Sequence, residues 1–275
     1  MIALIFIFLS ILTNSIIEAS QEQHKRAIVV GASVGMGREL CKMLAADGYT
    51  VGMASRRIGL LHELQQEIPT ETHVTHMDVS QPEDAVEKLI QLIDTMGGLD
   101  LLVLAPTGFW ECDFASPNWK DSLPVLMVDC VGFFALARTG LALFEEQGYG
   151  HLVGFSSVDG LYGVAGAPAY SASKAFCSRY LQAEYNKYMQ HNIPIHVTDI
   201  CPGFINSKGD LDYNEMSSAY WIETLEDAMH DIWQAIKNKD RIAYITKRWE
   251  KVAHLLATIP NDLYNALSAR PGGGF

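Results

Sequence analysis

The chain has 275 residues, 49% of them hydrophobic, 10% aromatic and 19% charged, enough apolar mass for a buried core and too little charge for a disordered polymer. Its 20 Lys and Arg stand against 32 Asp and Glu, a formal net charge of −12, and no long basic block exists to neutralise phosphates, which argues against nucleic acid as a partner. The length suits one doubly wound α/β domain.

Residues 1–17 form an apolar run broken only by Ser10, Thr13, Asn14 and Ser15. Such a run is at the lower limit of a membrane-spanning helix and also fits the hydrophobic part of a secretory signal. A signal would lack its basic start, although Ile17-Glu18-Ala19 loosely matches a cleavage site, so export after cleavage near Ala19 stays open. An anchor is the favoured reading. Lys25 and Arg26 follow the run, and the positive-inside rule then leaves a membrane-associated protein whose body faces the cytoplasm.

From residue 26 onward, short β-branched runs alternate with segments of helical period. This is the signature of repeated βαβ units: a parallel, Rossmann-type sheet with helices on both faces. Strands are predicted at 27–30, 50–54, 73–77, 99–104, 151–156, 195–200 and 242–245, and the longest helices at 120–146 and 169–190. Residues 203–220 lack a period and read as a long surface loop. The stretch 247–267 carries an apolar stripe that includes Trp249, Val252, Leu255 and Tyr264. Packing on the sheet is its expected fate, with a lid or a second membrane contact as alternatives. The expected organisation is a hydrophobic segment 1–21, a nucleotide-binding catalytic domain 22–246 and a helical extension 247–275.

The cysteines, Cys41, Cys112, Cys130, Cys177 and Cys201, are odd in number and lack CxxC spacing. They read as small buried hydrophobes, and neither a disulfide framework nor a metal site is expected. His73 and His76 form an HxxH, but on a strand they project to opposite faces.

Gly31-Ala32-Ser33-Val34-Gly35-Met36-Gly37 follows the first predicted strand and opens a helix. Glycines there permit a tight turn and the close approach of a pyrophosphate, whose charge is met by the free N–H groups of the helix start. About twenty residues on, an NAD-binding unit needs an acid for the ribose 2′-hydroxyl; this chain has Ser55-Arg56-Arg57. A guanidinium suits a 2′-phosphate, so NADP(H) is the expected cofactor. A phosphorylated cofactor and unpaired cysteines both suit a reducing compartment.

The spacing GxxxGxG resembles the short-chain dehydrogenase/reductase family, and further motifs follow in order. Met77-Asp78-Val79 matches the family's Asp near the adenine ring. Ser157, then Tyr170 and Lys174 in Tyr-Ser-Ala-Ser-Lys, match its Ser…YxxxK site. Pro202-Gly203 follows the sixth strand, with Ile205 in the same cofactor-flanking segment and Ser207 in the place of the usual threonine. The resemblance covers about residues 26–245. It implies hydride transfer between the nicotinamide and a carbonyl or secondary alcohol. Tyr170 would exchange the proton, Lys174 would stabilise tyrosinate against an ordinary pKa near 10, and Ser157 would donate to the substrate oxygen. Members are often homodimers or homotetramers joined through the two long helices.

Two departures stand out. The family's Asn-Asn-Ala-Gly turn is replaced by Ala105-Pro106-Thr107-Gly108 after Leu104, which stiffens the loop beneath the cofactor. Asp129 stands where the family has a catalytic asparagine, and its charge is expected to pair with Lys174 and weaken that residue's pull on Tyr170. The small-molecule substrate is read as apolar and lipid-like from Phe109, Trp110, Leu161, Tyr162, Phe204 and Trp221. A catalytically weakened NADP-binding protein with a sensing or assembly role is the alternative. An epimerase or dehydratase is disfavoured by the short segment after Gly203.

Overall fold

The computed structural model describes residues 25–107, 118–164, 166–206 and 222–268. The expected N-terminal segment, the aromatic residues Phe109, Trp110 and Trp221, Cys112 and Ser207 lie outside the described residues, as does most of the expected loop 203–220. In chain order the strands are β1 (Lys25–Val30), β2 (Tyr49–Ser55), β3 (Thr72–His76), β4 (Leu101–Leu104), β5 (Gly150–Phe155), β6 (Ile195–Pro202), β7 (Phe204–Asn206), β8 (Ile222–Thr224) and β9 (Ile242–Ile245). Between them lie helices α1 (Gly35–Ala46), α2 (Ile58–Glu67), α3 (Pro82–Met96), α4 (Trp119–Leu126), α5 (Phe133–Gln147), α6 (Pro168–His191) and α7 (Leu225–Asn238), followed by α8 (Arg248–Thr258) and α9 (Asn261–Ser268).

Seven strands form one parallel sheet in the order β3-β2-β1-β4-β5-β6-β9. Both faces are covered, which is why β4 and β5 read as continuous apolar runs rather than alternating ones. The period of two survives in where the side chains go. Ile28, Val30, Leu102 and Leu104 enter one core with α3, α5 and α6, while Ala27, Val29, Leu101 and Val103 enter the other with α1, α2 and α7. The strand order reverses between β1 and β4, so the carboxyl ends of these two strands open a crevice.

Local chemistry sets the helix ends. Pro82 occupies the first turn of α3 with Glu83 and Asp84 beside it, and Gly97 closes that helix at φ 72°. Thr224 caps α7 by accepting from the Asp227 N–H at 3.1 Å.

The sequence predicts one helix over 120–146; the structure divides this stretch into α4 and α5 by a π-helical turn, Met127–Gly132. Pro124 lies inside α4 and cannot donate to the helical ladder. Gly132 presses so closely on the neighbouring chain that a Cβ would collide with the Val79 carbonyl oxygen. The continuous span Trp119–Gln147 is long and apolar enough by composition to cross a membrane, but half of its apolar window is buried, as in the core helix of a globular protein.

Two expectations are corrected. Residues 204–206, read as the start of a loop, form β7 and pair with β8 through Phe204↔Ile222 and its neighbours. The C-terminal stripe is divided at Pro260 into two helices, and only the first packs in the expected way. Trp249 of α8 is 1% exposed and sits with Val158 and Cys201. Tyr264 of α9 instead reaches Gly163, its hydroxyl donating to that carbonyl at 3.0 Å.

Candidate active site

The crevice is built first by the turn after β1. Gly31 adopts φ 93°, a conformation open to glycine, and a Cβ there would lie 2.6 Å from the Ala105 carbonyl oxygen. At Gly37 a Cβ would run into the Gly31 carbonyl, so this glycine lets α1 lie against the turn. The α1 N-terminus has Val34 at its cap, with no side-chain acceptor and no acidic residue in the first turn. Its positive end and N–H groups therefore face the crevice without an internal anion, which fits a phosphate group.

Arg57, after β2, lies over this turn. Its Nη2 and Nε donate to the Ser33 hydroxyl at 2.8 and 3.2 Å. The Ser55 hydroxyl accepts from the Arg57 N–H at 3.1 Å. Asp78 is opposed by partial desolvation, yet hydrogen bonds from Ser80 and the nearby Arg56 charge hold its carboxyl below the usual range. The rebuilt turn after β4 is braced by its own backbone, Ala105 N–H donating to Val30 at 2.9 Å.

On the opposite side stand Ser157, Tyr170 and Lys174. Ser157 ends β5 and opens a short 3₁₀ turn, its hydroxyl accepting from the Asp159 N–H at 3.2 Å. Tyr170 and Lys174 are one turn apart on α6, with Lys174 Nζ 5.5 Å from the centre of the tyrosine ring. The ammonium donates to the Phe155 carbonyl at 3.3 Å and pairs with Asp129 Oδ2 at 3.5 Å. Asp129 is itself held by the Ser173 hydroxyl at 3.2 Å, and its carbonyl accepts from Cys177 Sγ at 3.0 Å.

Burial disfavours the Lys174 charge, but the Asp129 carboxylate, with lesser help from Tyr170, raises its pKa well above the ordinary value of 10.5. For Tyr170 burial wins: the phenol is held above 10, with Lys174 and the Ser157 hydroxyl pulling down and Asp129 pushing up. In the fold Asp129 thus pairs with Lys174 while its own charge opposes the lysine's effect on Tyr170.

These groups share one cleft of about 1060 Å³. Gly31, Ser33, Val34, Gly35, Met36 and Gly37 line it at one end, together with Ser55, Arg56, Arg57, Asp78, Val79 and Ala105. Ser157, Tyr170, Lys174, Pro202, Gly203 and Ile205 line the remainder. Asp129 does not reach the cleft surface. At 1% exposure it lies behind Lys174 and touches the cleft chemistry by its charge rather than by contact. Of the expected aromatic wall, Tyr162 and Phe204 line the cleft, whereas Leu161 packs against the Trp249 cluster.

Sequence reasoning missed Asp159, Val164 and Tyr264 as lining residues. Asp159 had a signal, as an acid two positions after Ser157 in an apolar stretch. Tyr264 had none, because its placement depends on the break at Pro260.

The sequence profile of the short chain dehydrogenase family matches residues 25–217. An uncharacterised oxidoreductase of Myxococcus xanthus is 29% identical over 256 residues, covering 91% of this chain and 99% of the relative. A second, from Mycobacterium tuberculosis, is 31% identical over 192 residues, 67% of this chain and 75% of its own. A solved structure of a 7beta-hydroxysteroid dehydrogenase shares the fold with a TM-score of 0.75 at 19% identity, covering 85% of this chain and 92% of that one. A family profile that spans most of the doubly wound sheet, over a glycine-turn crevice of this plan, makes this chain an oxidoreductase of the nicotinamide-dependent short-chain dehydrogenase/reductase family.

Proposed function

We propose that the protein is an NADP(H)-dependent reductase, or the reverse dehydrogenase, acting on the carbonyl or secondary alcohol of a small molecule with an apolar body. The observation that carries this reading is that Tyr170 and Lys174 face the same cleft as the glycine turn flanked by Arg56 and Arg57. The chemistry a bound nicotinamide supplies is hydride transfer to or from the substrate carbon.

Gly31, Ser33, Val34, Gly35, Met36 and Gly37 would hold the pyrophosphate, with Asp78, Val79 and Ala105 beside the adenosine end and Pro202, Gly203, Ile205 and Ser207 beside the nicotinamide end. Ser55, Arg56 and Arg57 would meet a 2′-phosphate. Tyr170 gives its proton to the developing alkoxide oxygen, or takes one from the alcohol. Ser157 donates a second hydrogen bond to that oxygen. Lys174 stabilises tyrosinate, and Asp129 fixes Lys174. Tyr162, Phe204 and Val164 supply an apolar wall for the substrate body. The alternative of a weakened enzyme with a sensing role draws on the buried Asp129–Lys174 pair, which competes with the lysine's action on Tyr170.

Outside the cleft, Trp119, Leu123, Val131, Phe134 and Phe176 expose apolar surface on the α4, α5 and α6 side, which supports assembly into a homodimer or homotetramer through these helices. The apolar run 1–17 would attach the protein to a membrane.

Fluorescence titration with NADPH and NADH tests the cofactor. Charge-assisted bonds to a 2′-phosphate contribute about 1.5–3 kcal/mol, so NADPH should bind roughly ten- to a hundredfold more tightly. Equal affinities would remove the NADP reading. Tyr170→Phe should abolish most NADPH-dependent ketone reduction while leaving NADPH binding in place; full activity in this variant would favour the sensing alternative.

A further inference from the structure

Asp159 is a carboxylate that the proton chemistry does not use. It follows Ser157 by two residues, lies in the 3₁₀ turn Val158–Gly160 and lines the cleft partly buried. Its backbone N–H is engaged by the Ser157 hydroxyl. Its side chain has neither an ion-pair partner nor a hydrogen-bond donor among the described residues. Burial raises its pKa, and no cation among the described residues offsets that shift.

This charge works against the neighbouring phenols. It pushes both Tyr170 and Tyr162 upward, adding to the effect of their burial. A proton donor poised for exchange gains nothing from it. Within the fold it ties no elements together. A carboxylate that is half withdrawn from water, without a partner among the described residues and in a cleft is placed where a ligand can provide a donor.

Its surroundings narrow the ligand's chemistry. Among the described residues, the cationic lining residues are Arg56, Arg57 and Lys174. The two arginines flank the glycine turn, and Lys174 is engaged by Asp129 and Phe155. Asp78, the other acidic lining residue among those described, is satisfied by Ser80. Tyr162 is close enough to feel the Asp159 charge, and Tyr264 lines the same cleft. Tyr162 and Tyr264 lie with ring centres 5.9 Å apart, and Tyr264 is fixed by its bond to Gly163. A carboxylate in a cleft lined by tyrosine rings favours an ammonium group, through the ion pair and through cation–π attraction to those rings. A hydroxyl satisfies the same acceptor more weakly, and a second carboxylate is repelled.

We propose that Asp159 selects substrates whose apolar body carries a hydrogen-bond-donating group, foremost an ammonium, where it meets Tyr162 and Tyr264, and excludes those with a carboxylate there. This rests on the reading of the cleft as a site for ketone or alcohol substrates.

The test has a binding arm and a turnover arm on the full-length chain. In the first, calorimetry compares 4-phenylbutylamine with 4-phenylbutyrate for the wild type and Asp159→Asn. Asparagine keeps the size of the side chain and leaves the backbone N–H bond to Ser157 available, and thermal melting verifies folding. The amine should bind the wild type at least tenfold more tightly than the acid, a ratio that should fall below threefold in the variant. An unchanged ratio, tighter binding of the acid, or no binding of either probe would overturn the proposal. In the second arm, NADPH oxidation is followed with acetophenones bearing 4-aminomethyl, 4-hydroxymethyl and 4-carboxylate groups. An Asp159-dependent amine preference in calorimetry without reduction of any ketone would sink the proposed reaction and leave Asp159 as a recognition residue. Reduction of all three with equal kcat/KM in the wild type would do the reverse.

Discussion

Replacing Asp129 by Asn removes one charge from a pair that is almost wholly buried, Asp129 being 1% exposed and Lys174 2%. At the observed 3.5 Å, the Coulomb attraction at an effective dielectric of about 20 is roughly 5 kcal/mol before desolvation is counted. Removing one partner of a buried pair costs about 3–5 kcal/mol, because the remaining charge stays out of water. The low end applies here. The asparagine oxygen still accepts from Ser173, and the Phe155 carbonyl still accepts from Lys174. A loss of about 3 kcal/mol corresponds to a fall in Tm of roughly 6–12 °C for a domain of this size. Since the Lys174 pKa is raised in the folded state, the stability it contributes is complete below 10.5 and is lost as pH rises above that value. The Tm difference between wild type and variant should therefore begin to narrow only as pH rises past 10.5, toward the raised folded-state value. The rate should respond oppositely to stability. Asp129 pushes the Tyr170 phenol upward, so its removal should shift the pH–rate midpoint of alcohol oxidation to lower pH. A variant that melts within 1 °C of wild type, or whose midpoint moves to higher pH, would refute the electrostatic account of this pair.

Three further outcomes follow from the same geometry. Burial, with His196 and Lys239 adding to it, lowers the His151 pKa to about 3, so this residue stabilises the fold above pH 6.5 and that stability is lost as pH falls toward 3. Urea unfolding should show about 2 kcal/mol of loss between pH 6.5 and 5 that His151→Gln lacks; equal slopes in both proteins would contradict this. Gly31→Ala places a Cβ against the Ala105 carbonyl at an unfavourable φ of 93°, a strain of about 1–3 kcal/mol, and should weaken NADPH binding at least tenfold by fluorescence titration. Arg57→Ala should reduce the NADPH-over-NADH preference by about tenfold while sparing NADH affinity; unchanged discrimination would place 2′-phosphate recognition elsewhere.

Much of this architecture is determined by local pattern. Apolar runs separated by amphipathic segments point to a parallel sheet with two covered faces, because crossover helices then bury both faces of such strands. The glycine turn and the spacing of Tyr170 to Lys174 were readable for a similar reason. A positive φ after a strand, and two side chains one helical turn apart, are requirements met within a few residues. Three features were beyond that range. The π-helical turn that carries Asp129 ends where Gly132 packs closely against Val79, far away in sequence. Tyr264 reaches the cleft only because α9 turns back over a loop 101 residues earlier. Asp159 was visible as a residue, but its lack of a partner is a property of everything around it. The sequence by itself determined the period of the chain and the conformations its glycines and prolines allow. Tertiary structure alone decided which charges found a counter-charge and which were left facing a cleft, since burial and electrostatic pairing depend on residues brought together from distant parts of the chain.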